Sequence, residues 1–251
     1  MKQIVTRNNL IFGEGMPKIC IPLMGKNKEE LAREIDCLKN AAFDLVEWRV
    51  DFFEEVSQIP KVLETLSFLR ERLENTPILF TFRTKQEGGQ AAITAQEYCA
   101  LNCRVIRTGH VDLVDAELFM GNNTVLKIIE TAHQYGKIAV VSNHDFQMTP
   151  PKEELLHRLE LMRTLGADLP KIAVMPASPK DVLALLEATE TYTTRYQSPV
   201  ITMSMGKLGA VSRICGETFG SVLTFGTAQE ASAPGQLPSV LLKEILTQLH
   251  Q

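Results

Sequence analysis

Several features with a ready functional meaning are missing from this chain. There is no excess of basic side chains: 26 Lys and Arg against 30 Asp and Glu leave a net charge of −4, which argues against a nucleic-acid or acidic-membrane partner. No apolar run reaches the ~18 residues of a membrane span, and the N-terminal MKQIVTRNNLIFGEG lacks the uninterrupted apolar stretch of a secretory leader. The five cysteines (Cys20, Cys37, Cys99, Cys103, Cys215) are odd in number and contain no CxxC pair. Cys99 and Cys103 share a helical face but have no neighbouring His or Cys, so a zinc site is not expected, and reduced thiols fit a cytoplasmic compartment. No GxGxxG follows the first strand-like run, and GKLGAVSR (206–213) lacks the Gly-Lys-Ser/Thr of a phosphate loop. Low-complexity segments and composition shifts are absent too, so no linker divides the chain.

What is present is alternation. Eight β-type runs recur at KICIPL (18–23), DLVEWRV (44–50), ILFTFR (78–83), VDLVDAEL (111–118), KIAVVSNH (137–144), KIAVM (171–175), PVITMS (199–204) and SVLTFG (221–226). Between and after them lie segments of helical periodicity near 28–41, 58–74, 94–107, 122–135, 151–165, 179–195, 208–215 and 238–250. Strands dense in Val, Ile, Leu and Phe suit a parallel sheet covered on both faces. Eight strand–helix units in a chain of 251 residues match a (β/α)8 TIM barrel as one domain spanning 1–251. The leading IVTRNNLIFGEG reads as a β-hairpin around Asn8-Asn9 that closes the barrel floor.

Active sites of such barrels sit at the C-terminal strand ends, and those ends are unusually polar here. The second strand ends in Glu47-Trp48-Arg49, where alternation puts Glu47 and Arg49 on one face, as an ion pair or as substrate contacts. The third ends at Arg83, followed by Glu87-Gly88-Gly89; the fifth ends in Ser142-Asn143-His144-Asp145. Lys171 stands at the front of the sixth, in PKIAVMP. It either snorkels into solvent or lies in a dry cavity, where lost hydration disfavours the charged amine. Met203 and Met205 end the seventh strand, Arg213 lies beyond, and AQEASAPGQ (228–236) after the eighth is small enough to form a lid. Taken together, a strand lysine, a histidine on the adjacent strand, the Glu87 carboxylate to orient it and anion-binding arginines make a Schiff-base constellation. A divalent metal is not expected beside so many cations.

The segments EWRVD (47–51), FTFRTKQEGG (80–89), VVSNHDF (140–146), GADLPKIAVMP (166–176), ITMSMGKLGAVSR (201–213) and ASAPGQ (231–236) resemble the type I 3-dehydroquinate dehydratases of the shikimate pathway, in family order over nearly the whole chain. The resemblance implies a homodimeric barrel that dehydrates 3-dehydroquinate to 3-dehydroshikimate in aromatic amino acid biosynthesis, without metal or cofactor. It implies Lys171 as imine former, His144 as general acid–base and Glu87 as its orienting carboxylate. Glu47, Arg49 and Arg83 would hold ring hydroxyls, Arg213, Ser232 and Gln236 the substrate carboxylate, and Met203, Met205, Phe146 and Phe225 the apolar walls. One departure stands out: Pro22 occupies the end of the first strand, where the family pattern has serine, so one polar contact at the mouth is expected to be lost. A class I aldolase is the nearest alternative; a non-catalytic metabolite-binding barrel is another.

Overall fold

The apolar runs do pair side by side. In the computed structural model, which describes residues 4–7, 10–228 and 235–250, a short antiparallel hairpin, β1 (Val5–Arg7) and β2 (Leu10–Phe12), precedes the barrel. Asn8 and Asn9, the expected turn, lie outside the described residues. The barrel strands are β3 (Lys18–Leu23), β4 (Leu45–Arg49), β5 (Ile78–Thr81), β6 (Leu113–Glu117), β7 (Ile138–Asp145), β8 (Leu169–Val174), β9 (Ile201–Ser204) and β10 (Leu223–Thr227). Each is parallel to the next, and β10 returns to pair with β3. A bridge between Val200 and Ser221 completes the circle, with the Val222 amide donating to the Val200 carbonyl at 2.9 Å. This is a (β/α)8 barrel. A two-residue strand, β11 (Leu237–Pro238), adds to the C-terminal end of β10, a pairing without a sequence signal.

The long helices are α1 (Lys28–Cys37), α2 (Ile59–Leu73), α3 (Ala95–Arg107), α4 (Asn122–Gln134), α5 (Lys152–Leu165) and α6 (Pro179–Tyr196). Gly166 ends α5 with φ 102°, a left-handed cap that glycine adopts without a Cβ penalty. The expected helix over 208–215 is instead three single turns, α7 (Gly206–Gly209), α8 (Val211–Ile214) and α9 (Gly216–Phe219). Packing against the end of β9 breaks it: a Cβ on Gly209 would sit 2.3 Å from the Ser204 carbonyl oxygen. Ser212 holds the crossing, accepting from the Ser204 amide at 2.8 Å and donating to the Gly209 carbonyl at 2.7 Å. The last helix, α10 (Ser239–Leu249), closes the series. Among the described residues no helix is long and apolar enough to cross a membrane.

Period-2 alternation sorts every strand into an outer and an inner face. Outward residues such as Val46, Trp48, Phe80, Val114, Val141 and Ile172 pack under the helices. Inward, the lowest rung is apolar: Cys20, Leu45, Leu79, Leu113, Val140, Leu169, Ile201 and Leu223 form one cluster with Leu10 and Phe12 of the hairpin. The hairpin therefore plugs the floor, as its sequence suggests. Two residues further along five successive strands the rung turns polar, with Glu47, Thr81, Asp115, Ser142 and Lys171 all buried. That rung is the bottom of the site.

Candidate active site

Lys171 is the third residue of β8, not its first, and is 3% exposed. The expectation of a strand-front lysine is corrected in the direction that matters, because snorkelling to solvent is ruled out. Its Nζ lies 3.7 Å from Asp115 Oδ2 and 3.8 Å from Glu47 Oε1, so the buried charge is compensated. The same nitrogen sits 4.6 Å from the centre of the Phe225 ring, a cation–π distance.

His144 lies on β7, where Ser142 stands opposite Lys171 and His144 opposite Ala173. Glu87 holds the imidazole: its Oε2 is 3.0 Å from Nδ1 and accepts the His144 amide at 2.9 Å, while Oε1 accepts the Asn143 amide group at 3.2 Å. With Nδ1 engaged, Nε2 is the nitrogen left for chemistry. Burial and the cations of Arg83, Lys171 and Arg49 pull the His144 pKa well below its usual value. Burial pushes the Glu87 carboxyl up to about 8, with Glu117 and Asp115 adding to the rise and Arg83 and Asn143 opposing it. Both shifts favour a protonated Glu87 beside a neutral imidazole.

The loop that carries Glu87 depends on two glycines. Gly88 has φ 85°, and a Cβ there would lie 2.3 Å from the Phe146 ring; at Gly89 it would lie 1.8 Å from the Arg83 carbonyl oxygen. Asp51 ties this turn to β4, accepting both ends of the Arg49 guanidinium at 2.8 and 2.9 Å and the Gln90 amide at 3.1 Å. Arg49 therefore pairs with Asp51 rather than with Glu47, which instead accepts the Thr81 hydroxyl at 2.8 Å.

Arg83 is more deeply committed than its expected role in holding hydroxyls implies. Its guanidinium meets Glu117 at 2.9 Å, Asp115 and Ser142 at 3.0 Å each, and Glu87 at 3.6 Å. Burial works against its charge, but Asp115, Glu117 and Glu87 outweigh burial and raise its pKa well above the usual value. Arg213 is also buried, with Nη1 3.8 Å from the Met203 sulfur, and burial pushes its pKa down to about 10.

One cavity, open at its mouth, gathers most of these groups. Its walls include Glu47, Arg49, Arg83, Glu87, His144, Phe146, Lys171, Met203, Met205, Arg213, Phe225 and Gln236. Of the residues expected from the sequence, Ser232 lies outside the described residues, as does most of the 228–236 segment expected to form a lid. Pro22 does not line this cavity; it borders a small separate one with Met24, Glu34 and Ala228.

The family model for type I 3-dehydroquinase matches residues 19–251. The chain belongs to that family. A 3-dehydroquinate dehydratase of Listeria welshimeri is 51% identical over 251 residues, covering 100% of this chain and 99% of the relative. The type I 3-dehydroquinate dehydratase of Clostridium difficile, solved with covalently modified comenic acid, superposes with a TM-score of 0.96 at 50% identity, covering 99% and 98% of the two chains. The Geobacillus kaustophilus 3-dehydroquinate dehydratase gives 0.95 at 39% identity, covering 98% and 96%. Membership of a hydro-lyase family displaces both alternatives left open by the residues, the aldolase and the non-catalytic barrel. Within this type I 3-dehydroquinase, sequence reasoning missed three buried acids: Asp51, Asp115 and Glu117. The last two had a visible signal, two carboxylates at i and i+2 in the otherwise apolar run LVDAEL (113–118).

Proposed function

We propose that this type I 3-dehydroquinase converts 3-dehydroquinate to 3-dehydroshikimate through an imine on Lys171, with His144 as general acid and base. The observation that carries the reading is the placement of a fully buried lysine and a carboxylate-oriented histidine on adjacent strands of one cavity. Lys171, entering as the ammonium, gives up one proton and adds as the amine to the substrate ketone. The carbonyl oxygen leaves as water with that proton and one more from nitrogen, so nitrogen keeps one hydrogen and the positive charge. The iminium then accepts the electron pair released when His144 Nε2 removes a proton from the adjacent carbon. The resulting enamine expels the hydroxyl one carbon further on, which leaves as water with the proton His144 has just taken. Hydrolysis of the imine frees the amine.

Glu87 supports these transfers by holding Nδ1, and Arg213, in the wall of the same cavity, matches the substrate carboxylate in charge. Glu47 and Arg49 line the wall where ring hydroxyls would lie, and Met203, Met205, Phe146 and Phe225 supply its apolar surface. The covalently modified ligand of the Clostridium difficile relative is in keeping with a nucleophile at work. A single domain, a homodimer and a cytoplasmic location complete the reading. Borohydride reduction in the presence of 3-dehydroquinate tests it: wild type should gain a stable adduct on Lys171, and Lys171→Ala should lose both adduct and turnover while keeping its fold. Appreciable turnover by Lys171→Ala would overturn it.

A further inference from the structure

Behind the reacting amine, away from the cavity, sits a carboxylate with an uncommitted oxygen. Asp115 is 0% exposed and does not line the cavity. Its Oδ1 accepts the Ser142 hydroxyl at 2.7 Å and pairs with Arg83 Nη2 at 3.0 Å. Its Oδ2 accepts no hydrogen bond among the described residues, yet lies 3.7 Å from Lys171 Nζ. A buried carboxylate oxygen left in this way is costly unless it serves a charge. Glu47 is nearly as close to the amine, but its near oxygen already accepts the Thr81 hydroxyl, and it faces the substrate.

We infer that Asp115 is the positioning residue and resident counter-ion of the Lys171 iminium, its Oδ2 being reserved for the one N–H that the imine nitrogen retains. The inference rests on the imine reading above. Charge is conserved through the step: the ammonium form and the ketone together yield iminium and water, each side carrying one positive charge, so one fixed carboxylate serves throughout. Burial would push the Asp115 carboxyl up, but Arg83 and Lys171 together hold it below the usual range, which keeps it ionised. The groups facing this pair are Arg83 from the end of β5, Ser142 and His144 from β7, Glu47 from β4, Cys20 from β3, Tyr98 from α3, Glu87 from the turn after β5 and Glu117 on the same strand. Arg83 joins Asp115 to Glu87, so the two halves of the site share one cation.

Asp115→Asn removes the charge but leaves an oxygen for Ser142 and Arg83. Its kcat should fall about 100-fold with a much smaller change in KM. The alkaline limb of kcat should move down by about 1 pH unit or more, because the iminium loses the charge that keeps it protonated. Borohydride trapping, which acts on the protonated iminium, should weaken in parallel at the alkaline end. A merely structural aspartate would lower stability without moving that limb, so superimposable pH profiles and trapping yields would overturn the assignment. No adduct in wild type would instead remove the imine reading itself. Should Asp115→Asn fail to fold, wild type alone decides: a trapping yield level from about pH 7 to 10 supports a built-in counter-ion, and collapse below about pH 8 overturns it.

Discussion

Ser142 stands directly opposite Lys171 in the β7–β8 ladder, so His144, the next inward residue of β7, is held one rung nearer the mouth than the lysine backbone. A long lysine side chain rising from the lower rung and an imidazole set on the upper one can meet the same substrate carbon from below and beside it. The arrangement requires no loop to bring the two groups together; strand register does it, with the stiffness of a closed barrel.

Replacement of His144 should separate binding from proton transfer. His144→Ala is expected to lose about 10²- to 10⁴-fold in kcat while still forming a borohydride-reducible adduct with 3-dehydroquinate. Wild-type turnover in that variant would contradict its role.

Activity should also follow the Glu87–His144 unit. With the Glu87 carboxyl pushed up to about 8, its proton at lower pH occupies the hydrogen bond to Nδ1 and leaves Nε2 without a lone pair. Above about 8 the carboxylate accepts Nδ1–H and Nε2 becomes the base. A plot of kcat/KM should therefore rise between about pH 6 and 9, and Glu87→Gln should abolish that limb; a flat wild-type profile would refute the scheme. Stability runs the other way. The folded value lies above the ordinary 4.5, so the Glu87 contribution is fully present below about 4.5 and is lost as pH rises through about 8. Thermal unfolding of wild type against Glu87→Gln reads that difference.

Arg213→Ala removes a buried cation from the wall facing the reaction. KM should rise about 10- to 100-fold, the size of a lost charge-assisted hydrogen bond, with a smaller change in kcat. An unchanged KM would argue that the substrate carboxylate binds elsewhere.

At the opposite end of the barrel, Phe12 is fully buried against the apolar rung. Phe12→Ala should cost about 3–5 kcal/mol of stability through lost burial and the cavity left behind, read as a lower denaturant midpoint, with KM unaffected. A cost under about 1 kcal/mol would mean that the hairpin does not plug the floor.

Much of this was legible beforehand because it is local. Alternation within a strand needs only residues i and i+2, and it correctly placed Glu47 with Arg49 along one face. The pairing of β1 with β2 is likewise written in a few neighbouring side chains. The fragmentation of the segment after β9 was not legible, because helical periodicity there competes with a close approach to Ser204 that becomes visible once the strand is in place.

The chain's own order of residues determined a barrel of eight parallel strands with lysine, histidine and arginines at one mouth, since burial patterns repeat with each unit. Tertiary structure alone decided the pairings: that Arg49 answers to Asp51, that Arg83 is shared by carboxylates up to 34 residues away such as Glu117, and that Asp115 stands behind Lys171. Those contacts arise from the register between strands, and register is set by the closing of the whole sheet. No single segment contains it.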